Sequence, residues 1–183
     1  MERVNAQKQE HNVVLFLTIT ALFTALTYLF TTFVNIRLPI ASKGGLIHLG
    51  NVPLFLGAIL FGRKVGMIAG AIGMGLFDLL SGWTLWTPFT LAIVGLMGYV
   101  MGWITEKDGR QNYFRYAAAI AASCIIKLAG YYLAETVIYG SLIAPAASIP
   151  GNLMQIGIAA IIVLPLVGPL NAVIRKTGLN ASI

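Results

Sequence analysis

The stretch LIHLGNVPLFLGAILFGRKVGMIAGAIGMGLFDLLSGWTLWTPFTL, Leu46 to Leu91, constrains the fold more than any other part of this chain. Two glycine-rich apolar segments meet at a tight Gly62-Arg63-Lys64 turn, and Asp78 and a tryptophan-containing loop follow where the second segment ends. Such glycines let helices approach closely, and polar groups gathered at one end leave the remainder suited to lipid or to other helices. The pattern predicts a helical hairpin in a bilayer, with room for a small solute at its polar end.

Composition extends that reading to the whole chain. It is 58% hydrophobic and only 10% charged, with mean hydropathy +0.84, whereas a soluble domain carries about a quarter charged residues. The net charge of +6 does not point to nucleic acid, because Lys and Arg are spread over short loops with no basic stripe interleaved with aromatics. Cys124 stands alone in an apolar run, which leaves no disulfide framework and no Cys/His metal-ligand spacing. The first apolar run reaches Val34 without a small-residue cleavage site, so it reads as a retained helix and not as a secretory signal.

Six spans follow: Val13 to Val34, Leu49 to Phe61, Val65 to Leu80, Pro88 to Ile104, Tyr116 to Tyr139 and Gly151 to Ile174. A straight crossing takes about 20 residues, so the second and third are short and are expected to be tilted or covered by neighbours. Gly66 with Gly70 and Gly98 with Gly102 fit close helix packing. With the N-terminus inside, the cytoplasmic segments hold Arg3, Lys8, Arg63, Lys64, Lys107, Arg110, Arg115, Arg175 and Lys176, and the outer loops hold Arg37 and Lys43. This positive-inside bias predicts an all-α integral membrane protein, a six-helix bundle with both termini cytoplasmic. No linker divides it, so residues 1–183 are expected to form one transmembrane domain. Residues 1–12 make a cytoplasmic segment, and the polar loop 35–48, with Pro39 and Gly44-Gly45, is either an outer lid or a plain connector.

That topology selects the candidate site. Asp78 and Glu135 fall at the outer ends of spans three and five, Asn152 and Gln155 at the outer start of span six, and Trp83, Trp86 and Thr87 in the loop between spans three and four. Lys127, Tyr131 and Glu135 recur every four residues and share one helical face. A charge inside a bilayer costs about 2.5–3.5 kcal/mol on insertion scales. Lys127 therefore either pairs within the protein or meets a ligand. Glu135 is not its direct partner, being two turns away, roughly 12 Å at 1.5 Å per residue. Asp78 and Glu135 read either as interfacial acids or as ligand groups. Trp83, Trp86, Tyr131, Tyr132 and Tyr139 are stacking candidates, and Trp103 is a membrane-interface anchor. His48, at the start of span two, is either a helix-end hydrogen-bonder or a ligand contact.

The segments HLGNVPLFLGAILFGRKVGMIAGAIG, FDLLSGWTLWTPFTL and PGNLMQ (Pro150 to Gln155) together resemble the substrate-binding S component of energy-coupling factor vitamin transporters. The likeness covers nearly the whole chain and is greatest to the subgroup related to riboflavin, pyridoxine and hydroxymethylpyrimidine S components. It implies a subunit of the plasma membrane of a prokaryote that takes a vitamin or precursor from outside. A transmembrane T component and two ATP-binding-cassette subunits would complete the importer. It also implies that the loaded subunit tips within the membrane to release its cargo, and that Ala21 and Ala25 in TALFTALTY contact the T component. No G-x-x-x-x-G-K-[ST] loop occurs in the sequence, so ATP and Mg are expected to be used by the partners, with no cofactor in this chain. A site with aromatics and both charge signs suits a small polar heterocycle such as a B6 vitamer or hydroxymethylpyrimidine, while Lys127 could equally meet the carboxylate of pantothenate, and riboflavin is a further alternative. Two other classes compete: a membrane enzyme acting on a lipid, which would need a catalytic constellation that the sequence lacks, and a self-sufficient channel or exporter.

Overall fold

A computed structural model describes residues 2–37, 46–106 and 112–177. Within them lie six α-helices: α1 (Glu2–Phe33), α2 (Asn51–Phe61), α3 (Arg63–Leu80), α4 (Thr87–Thr105), α5 (Tyr113–Tyr139) and α6 (Ile149–Thr177). A two-residue-per-rung antiparallel ribbon joins α1 to α2: β1 (Asn35–Arg37) pairs with β2 (Leu46–His48), with Ile36 opposite Ile47. A short 3₁₀ helix, Ala144–Ser148, precedes α6.

Local chemistry explains the ends. Asn112 is extended at φ −134°, and its side-chain oxygen accepts the Arg115 N–H at 3.2 Å, which caps α5. Gly140, at φ +62°, closes the same helix in the left-handed conformation. Pro88 occupies the first turn of α4, where a missing N–H costs nothing. Gly62, at φ +92°, reverses the chain between α2 and α3, and its neighbour Arg63 donates its backbone N–H to Glu106 Oε1 at 2.6 Å. Pro165 and Pro169 lie inside α6 without ending it.

Among the described residues, four segments are long and apolar enough to cross a bilayer: Gln9–Phe33, Thr87–Thr105, Tyr113–Tyr139 and Ala144–Thr177. α2, with 11 residues, rises only about 16 Å. It is apolar all round and packs against α1, α3, α4 and α6, with Leu54, Phe55 and Ala58 fully buried. Of the two expectations for the short spans, α2 is thus covered by its neighbours. α3 and α4 form the tightest pair. A Cβ on Gly66 would stand 2.7 Å from the Gly98 carbonyl oxygen, and one on Gly98 would overlap the Gly66 carbonyl, so only glycines allow this crossing. The outer surface carries bare apolar side chains such as Val14, Leu17, Phe114, Ile125, Val137 and Ile161, as lipid contact requires.

Two expectations are corrected. The first helix does not start near Val13 but runs from Glu2, because the polar sequence ahead of the apolar run contains no helix breaker. His48 does not begin the second helix: it ends β2, and α2 starts at Asn51. The two ends of the loop 35–48 pair with each other as strands. Its residues 38–45, with Lys43, lie outside the described residues, as do Lys107, Arg110 and the side chains of Arg3, Lys8 and Arg37.

Candidate functional site

α1, α3 and α5 end where α2, α4 and α6 begin, and a cavity of about 310 Å³ lies at that end of the bundle. Every helix except α2 contributes a wall residue, as do β2 and the 3₁₀ helix. Nine of the ten residues expected in the site line it: His48, Asp78, Trp83, Trp86, Lys127, Tyr131, Glu135, Asn152 and Gln155.

Lys127 stands at the centre of the polar arrangement. It is 1% exposed, and its Nζ donates to Gln155 Oε1 at 2.8 Å and lies 5.9 Å from the centroid of the Tyr131 ring. Gln155 Nε2 in turn donates to the Leu46 carbonyl at 2.6 Å. One amide thereby links α5, α6 and β2. The Tyr131 and Thr90 hydroxyls are hydrogen-bonded at 3.0 Å, and the Asp78 carboxylate lies beside the same Thr90 hydroxyl. Four-residue spacing along α5 carries the face onward to Glu135, whose carboxylate is flanked by the side chains of Ser148 and Trp86.

Aromatic rings form the other wall. Trp83 and Trp86 meet edge to face at 5.1 Å, and Trp86 meets Tyr139 at 6.0 Å in the same manner. His48 Nδ1 accepts the Gly50 N–H at 3.3 Å, and its ring lies 6.5 Å from Phe77. Desolvation in this wall, and secondarily the nearby Lys127 charge, hold the His48 imidazole well below its ordinary pKa. Its Nδ1 serves as a hydrogen-bond acceptor.

Thr87 does not reach the cavity. Its Oγ1 is buried in the first turn of α4 without a protein partner, and Thr90, one turn on, takes the place expected of it. Tyr132 turns away and donates its hydroxyl to the Leu142 carbonyl at 2.6 Å. The sequence reading missed Thr90, Ser148, Met74 and Phe77, all in the wall. Met74 and Thr90 were discoverable, since they lie four residues before Asp78 and four after Trp86. Ser148 had no such signal, because the Ala-Pro-Ala-Ala-Ser run has no periodicity to follow.

The arrangement offers one ammonium, two carboxyl groups, several neutral hydrogen-bonding groups and a set of aromatic edges in a small volume. That suits a compact, flat, polar molecule. Among the described residues no group of three His, Cys, Asp or Glu is placed to hold a metal ion. At the opposite end of the bundle, Arg63 and Lys64 open α3, Arg115 lies in the first turn of α5, and Arg175 and Lys176 end α6. Ala21 and Ala25 are exposed on the outer face of α1, away from the cavity.

Residues 12–172 match the model of a protein family described as ECF-type riboflavin transporter, S component. A Pyrococcus woesei protein described as an uncharacterized protein in the gap 3′ region is 35% identical over 105 residues, which cover 57% of this chain and 69% of that protein. The thiamine precursor transporter HmpT of Lactococcus lactis subsp. cremoris (strain MG1363) is 27% identical over 124 residues, covering 68% of this chain and 69% of the relative.

Proposed function

The chain belongs to the family of ECF-type riboflavin transporter S components, multi-pass membrane transport proteins and not enzymes, and from that premise we propose that it captures a single-ring, water-soluble vitamin or vitamin precursor for ATP-driven import. The cavity carries this reading. Its volume of about 310 Å³ is at the bottom of the roughly 300–1,000 Å³ span of small-molecule sites. It favours a B6 vitamer or hydroxymethylpyrimidine over three fused rings with a sugar-alcohol tail. The relative described as a thiamine precursor transporter supports the same size class.

Binding uses the two kinds of wall together. Trp83, Trp86, Tyr131 and Tyr139 contact the faces and edges of the ring, while Lys127, Asp78, Glu135, Asn152 and His48 satisfy its polar substituents. Each buried polar group left unmet costs about 1–3 kcal/mol, so the polar set decides which ring is retained. Gln155 acts chiefly by holding Lys127 in place.

The two ends of the bundle support an orientation. Cavity and basic residues occupy opposite ends, so a cytoplasmic basic end makes the cavity face outward. With six crossings both termini lie on the cytoplasmic side of the plasma membrane of a prokaryote, in a single domain. A transmembrane T component docks along α1 at Ala21 and Ala25, and two ABC ATPases, which use ATP and Mg, drive release.

A thermal-shift panel of water-soluble vitamins on the purified chain tests the binding role. Stabilisation by a single-ring compound, together with uptake only when T component and ATPases are co-reconstituted, is the expected result. Flux through the chain alone would instead identify a channel or exporter.

A further inference from the structure

The connection between α5 and α6 is built unlike a loop that lies in water. No charged residue occurs from Thr136 to Ile174, and Leu142 and Ile143 at the turn are 71% and 84% exposed. Backbone groups around them are nonetheless paired within the protein. Ser141 Oγ accepts the N–H of Ile143 at 3.2 Å and that of Ala144 at 3.3 Å. The Tyr132 hydroxyl donates to the Leu142 carbonyl, the Ile143 carbonyl accepts the Ala146 N–H at 3.1 Å, and Ser148 Oγ donates to the Pro145 carbonyl at 2.9 Å. Water would meet such groups on an ordinary loop, whereas in hydrocarbon they have to be met from within the protein. Tyr132 lies about two turns before the end of α5, so its bond to Leu142 folds the chain back beside the helix. There the Leu142–Ile143 pair continues the apolar exterior that Leu133 and Val137 present on α5.

We infer that the turn Ser141–Ile143 is seated among lipid acyl chains on the cavity side of the bilayer, and that lipid thereby braces one wall of the cavity. The apolar segment Ala144–Thr177 has 34 residues, where about 20 are enough to cross, so its first residues can run within the membrane beside α5 instead of rising into water. The 3₁₀ helix that follows the turn packs against α5 and gives Ala144, Ala147 and Ser148 to the wall. Ile143 immediately precedes Ala144, so whatever fixes the depth of the Leu142–Ile143 pair also fixes where that wall stands. Acyl chains match the pair in chemistry, since its side chains offer nothing polar and its backbone has few groups left to offer. The inference concerns support of the wall and holds for any cargo.

The test attaches a nitroxide to Ile143→Cys, in a Cys124→Ser background, on the full chain reconstituted in phosphatidylcholine vesicles. Relaxation of the label by oxygen is compared with relaxation by a water-soluble nickel chelate. Labels on Val137→Cys, on the lipid face of α5, and on Lys176→Cys, exposed at the end of α6, give the lipid and water references. The label at 143 is expected to match Val137, open to oxygen and closed to nickel. Nickel access equal to that at Lys176 would put the pair in water and overturn the inference. Exclusion of both reagents would mean that a second copy covers the pair, which overturns it as well. The bracing has its own readout, since Leu142→Ser combined with Ile143→Ser is expected to speed hydrogen exchange at residues 144–148 in the same vesicles and to leave residues 51–61 unchanged. Wild-type exchange at 144–148 would refute it. Where the double variant does not fold, Ile143→Ser alone, at a site that supports no core packing, gives the same comparison. The importer reading stands under every one of these results.

Discussion

Replacing Lys127 by Met removes the buried ammonium while keeping a side chain of similar length and apolar volume. The wild-type Nζ has three N–H donors. Among the described residues one goes to Gln155 Oε1 at 2.8 Å, which leaves donors for a ligand acceptor in the cavity that Lys127 lines. A hydrogen bond to a charged group contributes about 1.5–3 kcal/mol. At 1.4 kcal/mol per decade, its loss lowers affinity by about 10- to 150-fold. Folding responds less. Gln155 Oε1 loses its partner, at a cost of about 1–3 kcal/mol, but an ammonium that is 1% exposed no longer has to be desolvated, and the two effects oppose. The expected outcome is a protein that purifies as a monodisperse species with a melting temperature near wild type, and whose dissociation constant by calorimetry rises at least tenfold. Wild-type affinity in that variant would assign Lys127 to structure alone and refute its role as a ligand group.

Gln155→Ala and Asn152→Ala should separate by mechanism. The first frees both Lys127 and the Leu46 carbonyl, so affinity falls and hydrogen exchange at residues 46–48 accelerates. The second lowers affinity about three- to tenfold with exchange in β2 unchanged, and identical exchange in both variants would remove Gln155 as a link to the ribbon. Ala21→Trp and Ala25→Trp place bulk on the exposed face of α1, far from the cavity. Uptake with T component and ATPases is expected to fall while ligand affinity persists, and full uptake would show that the coupling face is elsewhere. Gly98→Ala puts a Cβ into the Gly66 carbonyl, and about 1–3 kcal/mol of destabilisation is expected. A wild-type melting temperature would show that α3 and α4 can separate at little cost.

The helical framework was legible because apolar runs and glycine punctuation are local signals. α2 to α6 begin and end within about three residues of the expected spans. α1 departed from its expected start because polarity marks where lipid ends and not where a helix ends. Within the site, the Lys127, Tyr131 and Glu135 face was legible from helix geometry alone, as α5 is regular throughout. The side-chain partners were not. Lys127 and Gln155 are 28 positions apart and Gln155 and Leu46 are 109 apart, and no periodicity connects such pairs. Gln155 reads in sequence as a group for a ligand, yet the fold commits both ends of its amide to the protein. Thr87 failed for a related reason. A helix face can be placed only when its phase is known, and one turn of α4 separates a buried hydroxyl from Thr90 in the wall.

The same distinction bears on specificity. Family membership and the position of the cavity follow from features spread over the whole chain, whereas ring selection depends on which few polar atoms the fold leaves unmet. Lys127 gives one donor to Gln155 and keeps others for a ligand, Thr90 and Tyr131 are bonded to each other, and His48 accepts from Gly50. A group that must release a protein hydrogen bond on binding only exchanges one bond for another, whereas a spare donor in the wall gains one. On the proposed reading Lys127 therefore discriminates among cargoes more sharply than Thr90, Tyr131 or His48.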